Sequence, residues 1–104
     1  MNTLVRFVRL LLAVLAVFAA VSASAQTPLI DQGRAALSHG DSDAAIAALE
    51  KAVAQDPQSA DAHFYLAVTF EKMGLSQEAR PHWRSYRQLA PQGEWIELAR
   101  EFSE

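Results

Sequence analysis

The chain has 104 residues and no cysteine, so it holds at most one domain and no disulfide bond stabilises it. The same absence excludes a lipid-modified cysteine as a membrane anchor. The formal net charge is −3 at pH 7, which argues against nucleic-acid binding because nucleic-acid-binding domains carry a basic surface.

The first 25 residues have the pattern of a secretory signal peptide. Arg6 and Arg9 lie in a start without acidic residues, residues 10–21 carry no polar side chain, and Ala23-Ser24-Ala25 follows. A charged start, a short apolar run and an A-x-A end are the three parts of an export signal. We expect cleavage after Ala25. The alternative is an uncleaved anchor, although a membrane span needs about 20 apolar residues.

Cleavage would leave residues 26–104 as the folded domain. It removes two of the nine basic side chains and none of the twelve acidic ones, so seven basic and twelve acidic side chains give the domain a formal charge of −5. Such a domain gains nothing from an anionic membrane surface. We expect a soluble periplasmic protein; the alternatives are release from the cell and an inner-membrane-anchored form that faces the periplasm.

The first and third predicted helices each end at a glycine. The first covers residues 29–38 and is followed by Gly40, and the third covers residues 60–73 and is followed by Gly74. Glycine suits a helix end because it adopts positive φ without strain.

The second and fourth predicted helices each begin at a serine and end before a proline. They cover residues 43–55 and 77–89, with Ser42 and Ser76 as the expected N-caps. Proline cannot continue a helix and disfavours helical geometry in the residue before it, so it ends each helix.

A fifth helix is predicted over residues 94–104. Its apolar side chains recur at helical spacing, as Trp95, Leu98, Ala99 and Phe102. We expect it to cover the apolar face of the preceding helix pair, with Trp95 and Phe102 supplying a large apolar area.

The four earlier helices repeat with a period of 34 residues. The positions Gly40, Ala45, Leu49, Ala52 and Pro57 recur as Gly74, Ala79, Trp83, Tyr86 and Pro91. This period and these residues resemble the tetratricopeptide repeat (TPR) family. The resemblance implies an all-α solenoid of two helix-turn-helix repeats, residues 26–59 and 60–93, with a C-terminal capping helix over residues 94–104.

The two repeats match the family unequally. The second has the Leu66-Ala67 pair and an aromatic residue at Phe70, whereas the first has Gln32 and Ala36 where leucine and an aromatic residue are usual. Tyr86 replaces a small alanine and would push away a following helix. We expect only a capping helix to be compatible with it.

Members of the family commonly bind a peptide or a helix in the groove lined by the first helix of each repeat. The resemblance carries this role to eight positions. They are Ile30, Arg34, Leu37, Asp61, Phe64, Val68, Glu71 and Lys72. Apolar Ile30 and Val68 occupy positions that the carboxylate-gripping members fill with polar groups, so we expect no recognition of that kind.

Nothing in the sequence indicates an enzyme, a metal site or a cofactor. His39, His63 and His82 are not spaced as metal ligands on one helix, and we expect the last two at surface or half-buried positions. No serine lies in a nucleophile-elbow motif, and no glycine-rich phosphate loop is present.

Two charged stripes on the last two helices favour ion pairing over partner binding. Basic residues recur on the fourth helix at Arg80, Arg84 and Arg87, and acidic ones on the fifth helix at Glu94, Glu97 and Glu101. If the helices pack antiparallel, exposed ion pairs worth at most about 1 kcal/mol each would join them. The alternative is a binding surface for an acidic partner.

The sequence therefore predicts a non-enzymatic protein-interaction module of the bacterial cell envelope. Its partner is another protein of unknown identity. Two alternatives stay open: a small structural protein that self-associates through the open first repeat, or a membrane-tethered accessory subunit if the signal segment is retained. Neither nucleic acid nor, after cleavage, a membrane is an expected partner.

Overall fold

Residues 26–104 form five α-helices in the computed structural model, which describes this part of the chain. The helices are α1 (Gln26–Ser38), α2 (Ser42–Gln55), α3 (Ala60–Lys72), α4 (Ser76–Leu89) and α5 (Ile96–Ser103). The described residues contain no strand, so the all-α prediction is confirmed. The predicted signal peptide, residues 1–25, lies outside the described residues. No helix among those described has the length and apolar character to cross a membrane.

The helices stack in chain order. The hairpins α1–α2 and α3–α4 have the most extensive contacts, α2 packs on α3 to join them, and α1 also touches α3. The last helix, α5, packs on α4. Contacts between chain neighbours therefore account for most of the fold, as in a solenoid.

The two hairpins turn in the same way. Gly40 has φ +79° and Gly74 has φ +75°, and each ends the first helix of its pair. After Gly40, the amide of Asp41 donates to the Ala36 carbonyl (2.9 Å); after Gly74, the equivalent bond runs from Leu75 to Phe70 (2.8 Å). Together with the i−3 bonds that the glycine amides donate, these are two copies of the Schellman motif.

The helix starts differ from the predicted N-caps. Asp41, not Ser42, caps α2, since its carboxylate accepts a bond of 3.1 Å from the Ala44 amide. At α4 the N-cap position is Leu75, which makes no side-chain cap bond, while Ser76 donates its hydroxyl hydrogen to Glu71 at 3.0 Å. In each case the residue before the serine already has the non-helical backbone of a cap.

The helices enclose two cores, and the first lies between α2 and α3. Ala45 and Leu49 of α2 are fully buried together with Leu66 of α3. The second core is aromatic and larger. Its buried residues are Phe64, Ala67, Ala79, Trp83, Tyr86 and Ala99.

The fifth helix covers the second core only partly. It begins at Ile96, two residues later than predicted, after a turn in which the Tyr86 hydroxyl accepts a bond of 3.1 Å from the Trp95 amide. The Trp95 ring stacks on Phe64 and the Phe102 ring stacks on Trp83. Both stay substantially exposed, at 42% and 39%, because each covers an aromatic ring with one face only. The two rings therefore pack on the second core as predicted, although each is only partly buried.

Candidate functional site

The first wall of the predicted groove is one face of α1. Ile30, Arg34 and Leu37 lie four and three residues apart along this helix, so they share a face. Arg34 is exposed, and its guanidinium carbon lies 5.3 Å from the centroid of the Tyr65 ring on α3. Leu37 is half-buried and packs against the first core, which contains Ala45. This face of α1 therefore meets α3 through a cation–π contact.

The second wall is the corresponding face of α3, and only part of it is available to a partner. Asp61 and Lys72 are exposed and Val68 is half-buried. Glu71 is already engaged, because its two carboxylate oxygens accept bonds from Ser76 (3.0 Å) and from the Trp83 indole (3.3 Å). Its carboxylate therefore joins α3 to α4.

Phe64, predicted as a groove residue, belongs to the core. Only 8% of it is exposed, and its ring packs against Trp83 and Tyr86. The physical reason is the turn before α5, which places the Trp95 ring on Phe64 with centroids 5.1 Å apart and planes at 13°. Trp95 thus replaces Phe64 as the aromatic surface at this edge.

Two aromatic residues that the groove prediction omitted lie against residues that it included. Tyr65 receives Arg34, and Trp95 exposes the outer face of its indole. A signal for Tyr65 was present, since it follows Phe64 at the start of the third helix and lies three residues before Val68, at helical spacing. No sequence signal placed Trp95 there, because its position depends on the turn at residues 90–95.

The structure also pairs two histidines from different helices. The Nδ1 atoms of His63 on α3 and His82 on α4 lie 3.0 Å apart, and His63 Nε2 lies 2.9 Å from the Pro57 carbonyl oxygen. The carbonyl can only accept, so Nε2 carries the His63 proton, and His82 donates its Nδ1–H to His63. The pair therefore joins both helices of the second hairpin to the loop before it.

Burial is different from what we expected for these histidines. His63 is only 7% exposed, although a surface or half-buried position was expected for both; His82 is half-buried and its ring stacks on Phe70. Burial, and then the neighbouring His63, lower the pKa of His82 from its ordinary value. Among the described residues no three histidine or acidic side chains are grouped as a metal site would require.

A shallow cleft lies on the first hairpin. It has a volume of about 390 Å³ and lies between α1 and α2. Its lining is mostly small and apolar: Leu29, Gln32, Ala36, Ala44, Ala47, Ala48 and Lys51. The first hairpin therefore has an accessible apolar face in addition to the groove.

Comparison with protein-family models identifies a family for this chain. A family model described as tetratricopeptide repeat matches residues 30–94, which extend from within α1 to the turn before α5. No curated protein and no solved structure matches the chain. The matched residues make up more than half of the chain and have the helix order, glycine turns and small buried residues described above. The chain therefore belongs to the tetratricopeptide repeat family.

Proposed function

We propose that this protein binds a peptide or a helix of another protein along the groove formed by α1 and α3. Tetratricopeptide repeats generally mediate protein–protein interaction and are typically non-enzymatic. The observation that supports the groove is the accessible face on which Arg34 lies over Tyr65. The proposed groove consists of Ile30, Arg34, Leu37, Asp61, Tyr65, Val68, Lys72 and Trp95.

The chemistry of this face suits a segment with both apolar and charged side chains. Val68 and the exposed side of Trp95 offer apolar contact, while Arg34 and Lys72 supply positive charge and Asp61 supplies one negative charge. Aromatic and arginine side chains dominate the binding energy of many interfaces. A helix would use side chains at i, i+3 and i+4, and an extended peptide would use alternate side chains.

A matched pair of substitutions tests the groove. Val68→Asp places a charge in the groove, and Val53→Asp makes the same change at a half-buried position on α2 that packs against the first core. Partner recovery in a crosslinking pull-down should fall about tenfold or more for Val68→Asp, since an unpaired charge at an interface is costly. Val53→Asp should recover the partner as the wild type does, after correction for the folded fraction by circular dichroism. Equal recovery with both variants would exclude the groove.

We propose that this module is located in the periplasm, where it would serve as an accessory subunit in the bacterial envelope. The support is the export-signal pattern of residues 1–25. The N-terminal mass of the exported protein checks this assignment. A mass beginning at Gln26 supports a free periplasmic domain, whereas an intact N-terminus supports the membrane-tethered alternative.

A second candidate function is self-association as a small structural protein. It is favoured by the cleft between α1 and α2, where small side chains such as Ala44 and Ala47 let a helix approach closely. Light scattering at micromolar concentration distinguishes the two functions. A monodisperse, folded monomer excludes self-association and leaves the groove as the site of action.

A further inference from the structure

The second hairpin carries a basic surface that the groove does not include. Arg80, Arg84 and Arg87 lie at i, i+4 and i+7 of α4, which puts them along about 10 Å of one helix face. We call these three residues the α4 arginine surface. They are three of the seven basic side chains in a domain whose formal charge is −5.

The acidic stripe of α5 does not neutralise this surface. The two ion pairs in the described part of the chain are Arg34 with Asp31 and Arg100 with Glu97. Glu97 pairs with Arg100, one turn along its own helix, at 3.0 Å. The predicted ion pairs between the arginines and Glu94, Glu97 and Glu101 are therefore absent from residues 26–104.

One arginine of the surface is held in place. Arg87 donates from its guanidinium to the Ser103 hydroxyl at 2.9 Å, and Ser103 is buried and donates in turn to the Arg100 carbonyl. A guanidinium has five N–H groups, so this single bond leaves others for a ligand. The anchoring reduces the side-chain entropy that Arg87 would lose on binding.

The surface also has a concave part. A cleft of about 390 Å³ is lined by Arg84, Arg87 and Gln88. One turn away, the buried Nε of Arg80 has no hydrogen-bond partner among residues 26–104. The walls of the cleft thus present two guanidinium groups and one amide, and the adjacent turn holds a third guanidinium with an unpaired donor.

We infer that the α4 arginine surface binds an acidic segment of a protein, with its carboxylates paired to Arg84 and Arg87. Guanidinium groups bind carboxylates through two parallel hydrogen bonds, which gives both strength and orientation. Arg84 and Arg87 are three residues apart, about 5 Å along the helix axis. Carboxylates two residues apart on one side of an extended chain are separated by about 7 Å, a distance that the long arginine side chains can match. A nucleic acid is disfavoured because its phosphates extend beyond such a short patch and would then lie against the acidic remainder of the domain. The site lies on α4 and is independent of the groove between α1 and α3.

The test uses a hexaglutamate peptide as the probe and NMR chemical-shift titration of the domain, at low salt and at about 150 mM salt. The wild type should show saturable shifts centred on residues 80–88. Arg84→Glu should weaken binding about tenfold or more, and Arg84→Lys should weaken it less, because lysine keeps the charge but loses the paired bonds. Arg84 is exposed, so both variants should fold, which circular dichroism verifies.

Gln55→Glu/Gln58→Glu is the matched control, since the two changes together alter the net charge as much as Arg84→Glu does, at exposed positions outside the groove and the α1–α2 cleft. It should leave binding of the peptide unchanged. Equal weakening by Gln55→Glu/Gln58→Glu and Arg84→Glu would overturn the inference, because the effect would then be one of net charge. Shifts centred on α1 and α3, or equal affinity for a single-stranded hexanucleotide, would overturn it as well.

Discussion

The two hairpins share a spacing and a turn but fill their interiors in opposite ways. In α1–α2 the helices approach closely: a Cβ atom added to Gly33 would lie 2.5 Å from Cγ of Leu49. In α3–α4 the space is filled by rings, with Trp83 1% exposed and Phe64 packed edge-on against it. The repeat therefore fixes the backbone path, while the distribution of volume between the helices is free to vary.

The largest effect should come from removing the ring at the centre of the second hairpin. Trp83→Ala should lower the free energy of unfolding by about 3–5 kcal/mol, since it leaves a large cavity and takes the indole donor from Glu71. A small helical domain has little stability to lose, so the variant should be largely unfolded at 37 °C. Urea unfolding followed by circular dichroism measures this. Met73→Ala, at a position 40% exposed, is the control and should change little.

The first hairpin should be destabilised by adding a single methyl group, whereas the second is destabilised by removing a ring. Gly33→Ala normally favours a helix by about 1 kcal/mol, but here the methyl overlaps Leu49 and should give a net destabilisation of about 1–3 kcal/mol. The double variant Gly33→Ala/Leu49→Ala supplies the control. If the overlap is the cause, urea unfolding should show that the loss in the double variant is smaller than the sum of the two single losses. Additive losses would show that the two sites act independently.

The smallest effect should be a pH dependence specific to the second hairpin. Because the pKa of His82 is lowered in the folded protein, the unfolded chain takes up a proton first as the pH falls below about 6.5. The stabilisation is thus complete above that pH and is lost as the pH falls through the lowered pKa. Thermal unfolding between pH 7.5 and 5 should show a steeper decline for the wild type than for His82→Gln. His39→Gln, at an exposed position, should keep the wild-type slope.

Much of the fold could be predicted from the sequence, because the residues that start and end each helix agree with the 34-residue repeat. The glycines at 40 and 74 have the positive φ that their position after a helix predicts, and helix bounds agree within about three residues. The caps were less predictable, since an acidic residue and a serine stand side by side at the start of α2. Either side chain can cap a helix, and the backbone conformation of Asp41 decides between them.

The site was less predictable because it depends on contacts between distant residues. The groove prediction assigned Phe64 by its place in a regular repeat, but the turn before α5 put Trp95 on that ring. The histidine pair and the unpaired arginines of α4 were missed for the same reason, because both depend on contacts between residues on different helices. A spacing of 19 residues between His63 and His82 gives no periodic signal, and the choice of Glu97 between Arg100 and α4 depends on side-chain geometry.

Tyr86 limits which kind of helix can follow the second hairpin. Its buried ring and its hydroxyl bond to the Trp95 amide shape the α4 side of the hairpin for a short helix that arrives after a tight turn. A copy of the second hairpin inserted after residue 93 would bring its first helix against this ring, at a position where the repeat family usually has alanine. We therefore expect that lengthening the array requires a smaller residue at position 86 as well as the inserted repeat.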